Sequence, residues 1–114
     1  MKITEKTKDD IVIIGLEGKV MGGPDATVFH GKLHEYASSG KKKIIVDLGK
    51  VEWMSSVGLG MLISALTTMK NNKGKLLLAN VTKSIESLLT ITRLVTIFKT
   101  FDSVDDAIKG FDQE

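Results

Sequence analysis

Apolar residues along this chain fall into short β-branched runs that alternate with longer stretches of helical spacing. Residues 11–17, Ile-Val-Ile-Ile-Gly-Leu-Glu, lie between Asp9-Asp10 and Gly18 and predict a strand. Ile3, among Thr and Lys residues, predicts an edge strand paired to it through a turn near Lys8-Asp9-Asp10. Met21-Gly22-Gly23-Pro24-Asp25 breaks the pattern, and Pro24 can open a helix, where its missing N–H costs nothing. Ala26, Phe29, Leu33 and Tyr36 then recur at helical spacing up to Ser38-Ser39-Gly40. Residues 43–48 are nearly continuous in apolar character, which suits a central strand covered on both faces. Residues 55–72 predict a helix with Leu59, Leu62, Ile63, Leu66 and Met69 on its core face, stopped by Asn71-Asn72-Lys73-Gly74. Residues 75–79 predict a third core strand. Residues 82–92 predict a helix carrying Ile85, Leu88, Leu89 and Ile91, with Thr82 or Ser84 as its cap. A short strand is expected over 95–99, then a last helix through Val104, Ala107, Ile108 and Phe111, capped by Asp102 or Ser103.

The order is therefore β β α β α β α β α, an α/β pattern with parallel neighbours joined by right-handed crossovers. The helices starting near Pro24, Ser56, Thr82 and Ser103 are expected to cover the inner face of the sheet. Ile44, Val46, Leu62, Leu66, Leu76 and Leu78 should then be buried.

Composition narrows the picture. The 114 residues suit one domain spanning 1–114, long enough to bury a core without disulfides or a metal. The absence of Cys excludes a thiolate nucleophile, a cysteine zinc site and an iron–sulfur cluster. A formal charge of +2 predicts no strong attraction to nucleic acid or acidic lipid. Lys41-Lys42-Lys43, without aromatic or Gly-rich companions, reads as a solvated loop entering a strand. The longest apolar-rich run, 57–66, is broken by Gly58, Gly60 and Ser64 and falls short of the roughly 20 residues that span a bilayer. The N-terminus has no apolar signal-peptide core, so a cytoplasmic location is expected.

Chemistry-bearing groups are sparse. His30 and His34 lie four apart on one helix face, a spacing that can hold a metal, but Gly31-Lys32-Leu33 between them is not a metalloprotease arrangement. A solvated face is the favoured reading. Gly58-Leu59-Gly60 lacks the Lys-Ser/Thr of a phosphate loop, and Asp47 ends a strand where it can contact a loop. The expectation is a protein-binding module with no metal and no cofactor rather than an enzyme.

One segment stands apart: Val51-Glu52-Trp53-Met54-Ser55-Ser56-Val57-Gly58-Leu59-Gly60-Met61-Leu62. Two hydroxyls stand side by side at a helix start, where Ser55 or Ser56 can cap a free backbone N–H. A hydroxyl there is also a favourable carrier of phosphate, because the helix dipole and unused N–H groups stabilise a dianion. Trp53, Met54, Val57 and Met61 surround it, and Val57 and Met61, four apart, are expected to form an apolar patch beside the serine, from which a phosphate would repel a partner.

This segment, after Val46-Asp47-Leu48, resembles the signature of the STAS domain, and more narrowly that of bacterial anti-sigma factor antagonists, whose usual form is Asp-Ser-Ser/Thr/Ala-Gly-Leu-Gly. Leu16-Glu17-Gly18 and Arg93-Leu94-Val95-Thr96-Ile97-Phe98 fit the same pattern, so the resemblance spans nearly the whole chain. It implies a STAS-type mixed sheet of four to five strands with about four helices packed against it. It further implies a switch. The unphosphorylated protein binds an anti-sigma factor, often a serine kinase of the histidine-kinase-like ATPase type, and frees a sigma factor. The kinase phosphorylates the serine after the motif's Asp, and a PP2C-like phosphatase reverses it. Aligned on Gly58-Leu59-Gly60 that serine is Ser56, with Ser55 the second choice. Ser55 occupies the motif's Asp position, and Met21 falls near a second family Asp, with Asp25 farther on. Met21, Trp53, Val57 and Met61 are the expected partner-binding residues. The alternative is a STAS scaffold or subunit of a signalling or lipid-transport complex, with Ser56 only a cap.

Overall fold

A computed structural model describes residues 1–112. Strand β1 (Lys2–Lys8) turns at Asp9-Asp10 into β2 (Ile11–Val20), and the two pair antiparallel. Asp9 takes the left-handed conformation (φ 55°) that this tight turn demands and that Asp tolerates better than most residues. Helix α1 (Pro24–Ser38), β3 (Lys43–Met54), α2 (Ser56–Asn71), β4 (Lys75–Ala79), α3 (Lys83–Ile91), β5 (Thr100–Phe101) and α4 (Val104–Asp112) follow. The sheet order is β1-β2-β3-β4-β5, with every pair after the first parallel. A mixed five-stranded sheet with four helices is thus the α/β architecture expected.

Alternation along the strands sorts the core into two layers. Val12, Ile14, Leu16, Ile44, Val46, Leu48, Leu76 and Leu78 face α1, α2 and α3, meeting Phe29, Leu33, Leu62, Leu66, Met69, Ile85 and Leu89. Ile11, Ile45, Leu77 and Ala79 face the other way and are sealed by Ala107 and Phe111 of α4. All six residues expected in the core are buried. The helices do not share one face, however: α4 closes the reverse side. That is why 43–48 carries no polar alternation, since its central strand is covered front and back.

Three boundaries differ from the sequence reading. β3 runs on to Met54, past Gly49-Lys50, and β2 runs on to Val20. They stay paired through two irregularities that mask the period, between Gly15 and Glu17 and between Gly18 and Lys19. The strand expected over 95–99 is a 3₁₀ turn, Leu94–Thr96, followed by Phe98 in the core. Leu94 and Phe98 have the four-residue spacing of a helical turn, while Val95 and Ile97 face out. Ile91 does not join the core face of α3, since Ile85 and Leu89 fill it and Ile91 is 79% exposed. Thr82 is the cap of α3, accepting from Ile85 N at 3.3 Å, and Ser103 caps α4 by accepting from Asp106 N at 3.0 Å.

Asp47 serves the scaffold. Its Oδ1 accepts from Gly49 N and from Asn80 Nδ2, each at 3.0 Å, and so ties β3 to the loop after β4. His30 and His34 lie on α1, and no three His, Cys, Asp or Glu side chains gather as a metal would need among the described residues. No helix there is long and apolar enough to cross a membrane.

Candidate functional site

The start of α2 is held by β2. Ser55, extended at φ −81° and ψ 169°, donates its N–H to Val20 O at 2.9 Å. Its Oγ accepts from Gly58 N at 3.0 Å, and its carbonyl accepts from Leu59 N at 2.9 Å. Ser55 is therefore the N-cap. That leaves Ser56 as the first helical residue, exposed, its hydroxyl making no hydrogen bond among the described residues. Ser55 thus takes the capping role that the sequence left open between the two serines.

Glycine decides how closely these pieces approach. A Cβ on Gly58 would lie 2.3 Å from Val20 O, so only glycine lets the first turn of α2 sit against the end of β2. Gly22, buried and at φ 89°, lies under Val57, whose Cγ1 would be 2.4 Å from an added Cβ. The Met21-Gly22-Gly23 turn is thereby pressed against α2, and Gly23 becomes the N-cap of α1 with Pro24 in the first turn. Gly60 differs: nothing lies within 4 Å of where its Cβ would be.

Around Ser56 the surface is apolar. Val57 is 60% exposed, Met21 54% and Trp53 47%, among the largest apolar exposures on the described chain. Met61 does not join them. It is only 2% exposed and lies in the core with Leu62 and Ala65, which corrects the expectation that it borders the patch. Met61 lies about 40° around the helix from Val57, still within the stripe buried between α1 and the sheet. Val57 stands at the first turn, beyond that cover. A groove that the sequence did not reveal adjoins the patch: Trp53 and Met54 face Ser84, Ser87, Leu88 and Ile91 of α3. Ile91 breaking the period of α3 was its only sequence signal.

The electrostatics favour an added anion at Ser56. No acidic residue stands in the first turn of α2. Of its opening N–H groups, Gly58's is taken by Ser55 Oγ, and those of Ser56 and Val57 meet no protein acceptor among the described residues.

The STAS domain profile matches residues 2–107, and the chain belongs to the STAS domain family. A relative in Bordetella bronchiseptica, named "Putative anti-sigma factor antagonist BtrV", is 24% identical over 111 residues, covering 97% of this chain and 95% of that protein. A Thermotoga maritima relative, "Putative anti-sigma factor antagonist", is 28% identical over 105 residues, covering 91% of this chain and 92% of that protein. A crystal structure of a Thermotoga maritima protein so described superposes with a TM-score of 0.86 at 25% identity, over 95% of this chain and 92% of that one. The Bacillus cell fate determinant SpoIIAA in its phosphorylated form shares the fold, with a TM-score of 0.77 at 16% identity over 96% of this chain and 99% of that one.

Proposed function

We propose that this STAS domain is an anti-sigma factor antagonist that binds rather than catalyses. In this reading the unphosphorylated domain docks an anti-sigma factor on the face formed by Ser56, Val57, Met21 and Trp53 and so releases a sigma factor. The partner doubles as a serine kinase of the histidine-kinase-like ATPase type, and a PP2C-like phosphatase resets the switch. The observation that carries this is the division of labour at the helix start. Ser55 does the capping, so the Ser56 hydroxyl is left exposed amid apolar side chains that have no cover.

A phosphate on Ser56 adds about −1.5 to −2 charges at neutral pH. Val57 and its neighbours must lose water when a partner docks, and an unpaired dianion among them opposes that step by several kcal/mol. The same dianion is tolerated in the free domain, where unused N–H groups and the helix dipole face it. The switch therefore acts on binding and not on folding. A second reading, a constitutive scaffold with Ser56 unmodified, draws on Ser55, a neutral residue where the family motif has Asp. Incubation with the cognate kinase and ATP, followed by peptide mass spectrometry, separates the two. Phosphate on Ser56 that disappears in Ser56→Ala supports the switch, and an unmodified Ser56 supports the scaffold.

A further inference from the structure

Helix α3 carries two stripes that face different surroundings. Ile85 and Leu89 are buried and join Met54 in the core. Ser84, Ser87, Leu88 and Ile91 follow the spacing i, i+3, i+4, i+7 on a second stripe, about a third of a turn away, which faces Trp53. The two small serines at the start of that stripe leave room, and the two large apolar residues at its end build a wall. Between α3 and the end of β3 this leaves a groove of about 190 Å³, with Trp53 as the opposite wall. Ile91 rises out of it, and its 79% exposure is the largest among the apolar side chains of the described residues. Helix α4 does not fill the groove. It lies on the reverse side of the sheet and ends where Phe111 meets Lys43, ten residues and about 30 Å along β3 from Trp53.

We propose that this groove is the second half of the partner face and takes one large apolar side chain, aliphatic or aromatic, presented by the anti-sigma factor. The inference rests on the reading of Ser56 and Val57 as the partner face. Continuity is its first support: Trp53 belongs to both halves, as a member of the exposed patch with Met21 and Val57 and as a wall of the groove. Size is the second. Small-molecule sites enclose about 300–1,000 Å³, and a groove of about 190 Å³ is below that range but holds a single side chain. Ile91 is the third. A small ligand seated in the groove would leave the outer surface of Ile91 wet, and only a body reaching past the rim, a protein surface, covers it. That body is a partner that comes and goes rather than a permanent second copy. Permanent homodimers bury about 1,000 Å² or more per subunit, mostly apolar, whereas here four exposed apolar side chains, Met21, Trp53, Val57 and Ile91, stand among exposed serines. Trp53 then lies between the two halves, at the centre of the interface, where tryptophan carries most binding energy.

The test is calorimetric titration of the cognate anti-sigma factor with the full chain and three variants. Val57→Glu probes the Ser56 side, Ile91→Ser removes the apolar rim of the groove, and Ser87→Phe fills it. Positions 87 and 91 are exposed, so both α3 variants should keep the natural Tm. Ile91→Ser should weaken binding about tenfold, the worth of covering one isoleucine, and Ser87→Phe at least as much. If both α3 variants bind with natural affinity while Val57→Glu is impaired, the groove is overturned and the Ser56 face stands. If all three bind with natural affinity, the face itself is overturned and this inference with it. Sedimentation of the chain alone completes the test. A monomer is expected, and a dimer that Ile91→Ser dissociates would overturn the proposal by giving the groove to a second copy.

Discussion

Adding one methyl group at Gly58 or at Gly60 should have opposite consequences, although the two positions are two residues apart in the same helix. At Gly58 the new Cβ would lie 2.3 Å from Val20 O and 3.0 Å from both Val20 C and Val20 Cγ1. The first contact is about 1 Å too short and involves backbone, so helix and strand must separate. Overpacking of that kind costs about 1–3 kcal/mol. Val20 O is also the acceptor for Ser55 N, so the separation strains the bond that anchors the helix start, worth about 1 kcal/mol. Alanine returns about 1 kcal/mol in helix propensity. The net expectation for Gly58→Ala is a loss of about 2 kcal/mol, or a fall of about 10 °C in Tm for a domain of this size. At Gly60 there is nothing within 4 Å, so only the propensity gain applies, and Gly60→Ala should be more stable by about 0.5–1 kcal/mol. Thermal and urea unfolding by circular dichroism on the two variants decides the matter. Gly58→Ala as stable as the natural chain, or both variants destabilised alike, would refute the tight seat of α2 on β2.

Further outcomes follow from the same contacts. Met61→Ala should lose about 2–4 kcal/mol in urea unfolding because it leaves a core cavity, whereas Val57→Glu should stay within about 0.5 kcal/mol of the natural chain and lose partner binding at least about tenfold in calorimetric titration. Lys32, paired with Glu5, holds that carboxyl below its ordinary range; because the folded-state pKa is depressed, the pair's contribution is present above the unfolded carboxylate pKa and fades as pH falls through the folded value. Lys32→Ala should therefore flatten the acid limb of the stability curve by a small amount, the pair being partly exposed and screened, and NMR titration should show Glu5 returning upward.

The sequence shows most clearly what is enforced by apolar period. Residues 11–17, 43–48 and 75–79 are strands because their β-branched and leucine runs leave no polar face for a helix, and Pro24 marks a helix start because its geometry allows little else. The hydroxyl pair was visible too, but not which serine caps: that depends on where the chain leaves β3, and β3 proved six residues longer than its apolar run, ending at Met54 instead of Leu48. Met61 was misplaced because two apolar residues four apart cannot reveal how wide a stripe is buried. A helix lodged between α1 and the sheet hides more of its circumference than one resting on a single layer.

The role of Ser56 is tested by calorimetric titration of the cognate anti-sigma factor with this protein carrying phosphoserine at position 56, beside the unmodified protein and Ser55→Asp. Phosphorylation at Ser56 is expected to weaken binding at least about a hundredfold, matching the several kcal/mol of stranded charge, with Tm nearly unchanged and with Ser55→Asp much less affected. Equal affinity of the phosphorylated and unmodified forms would contradict it.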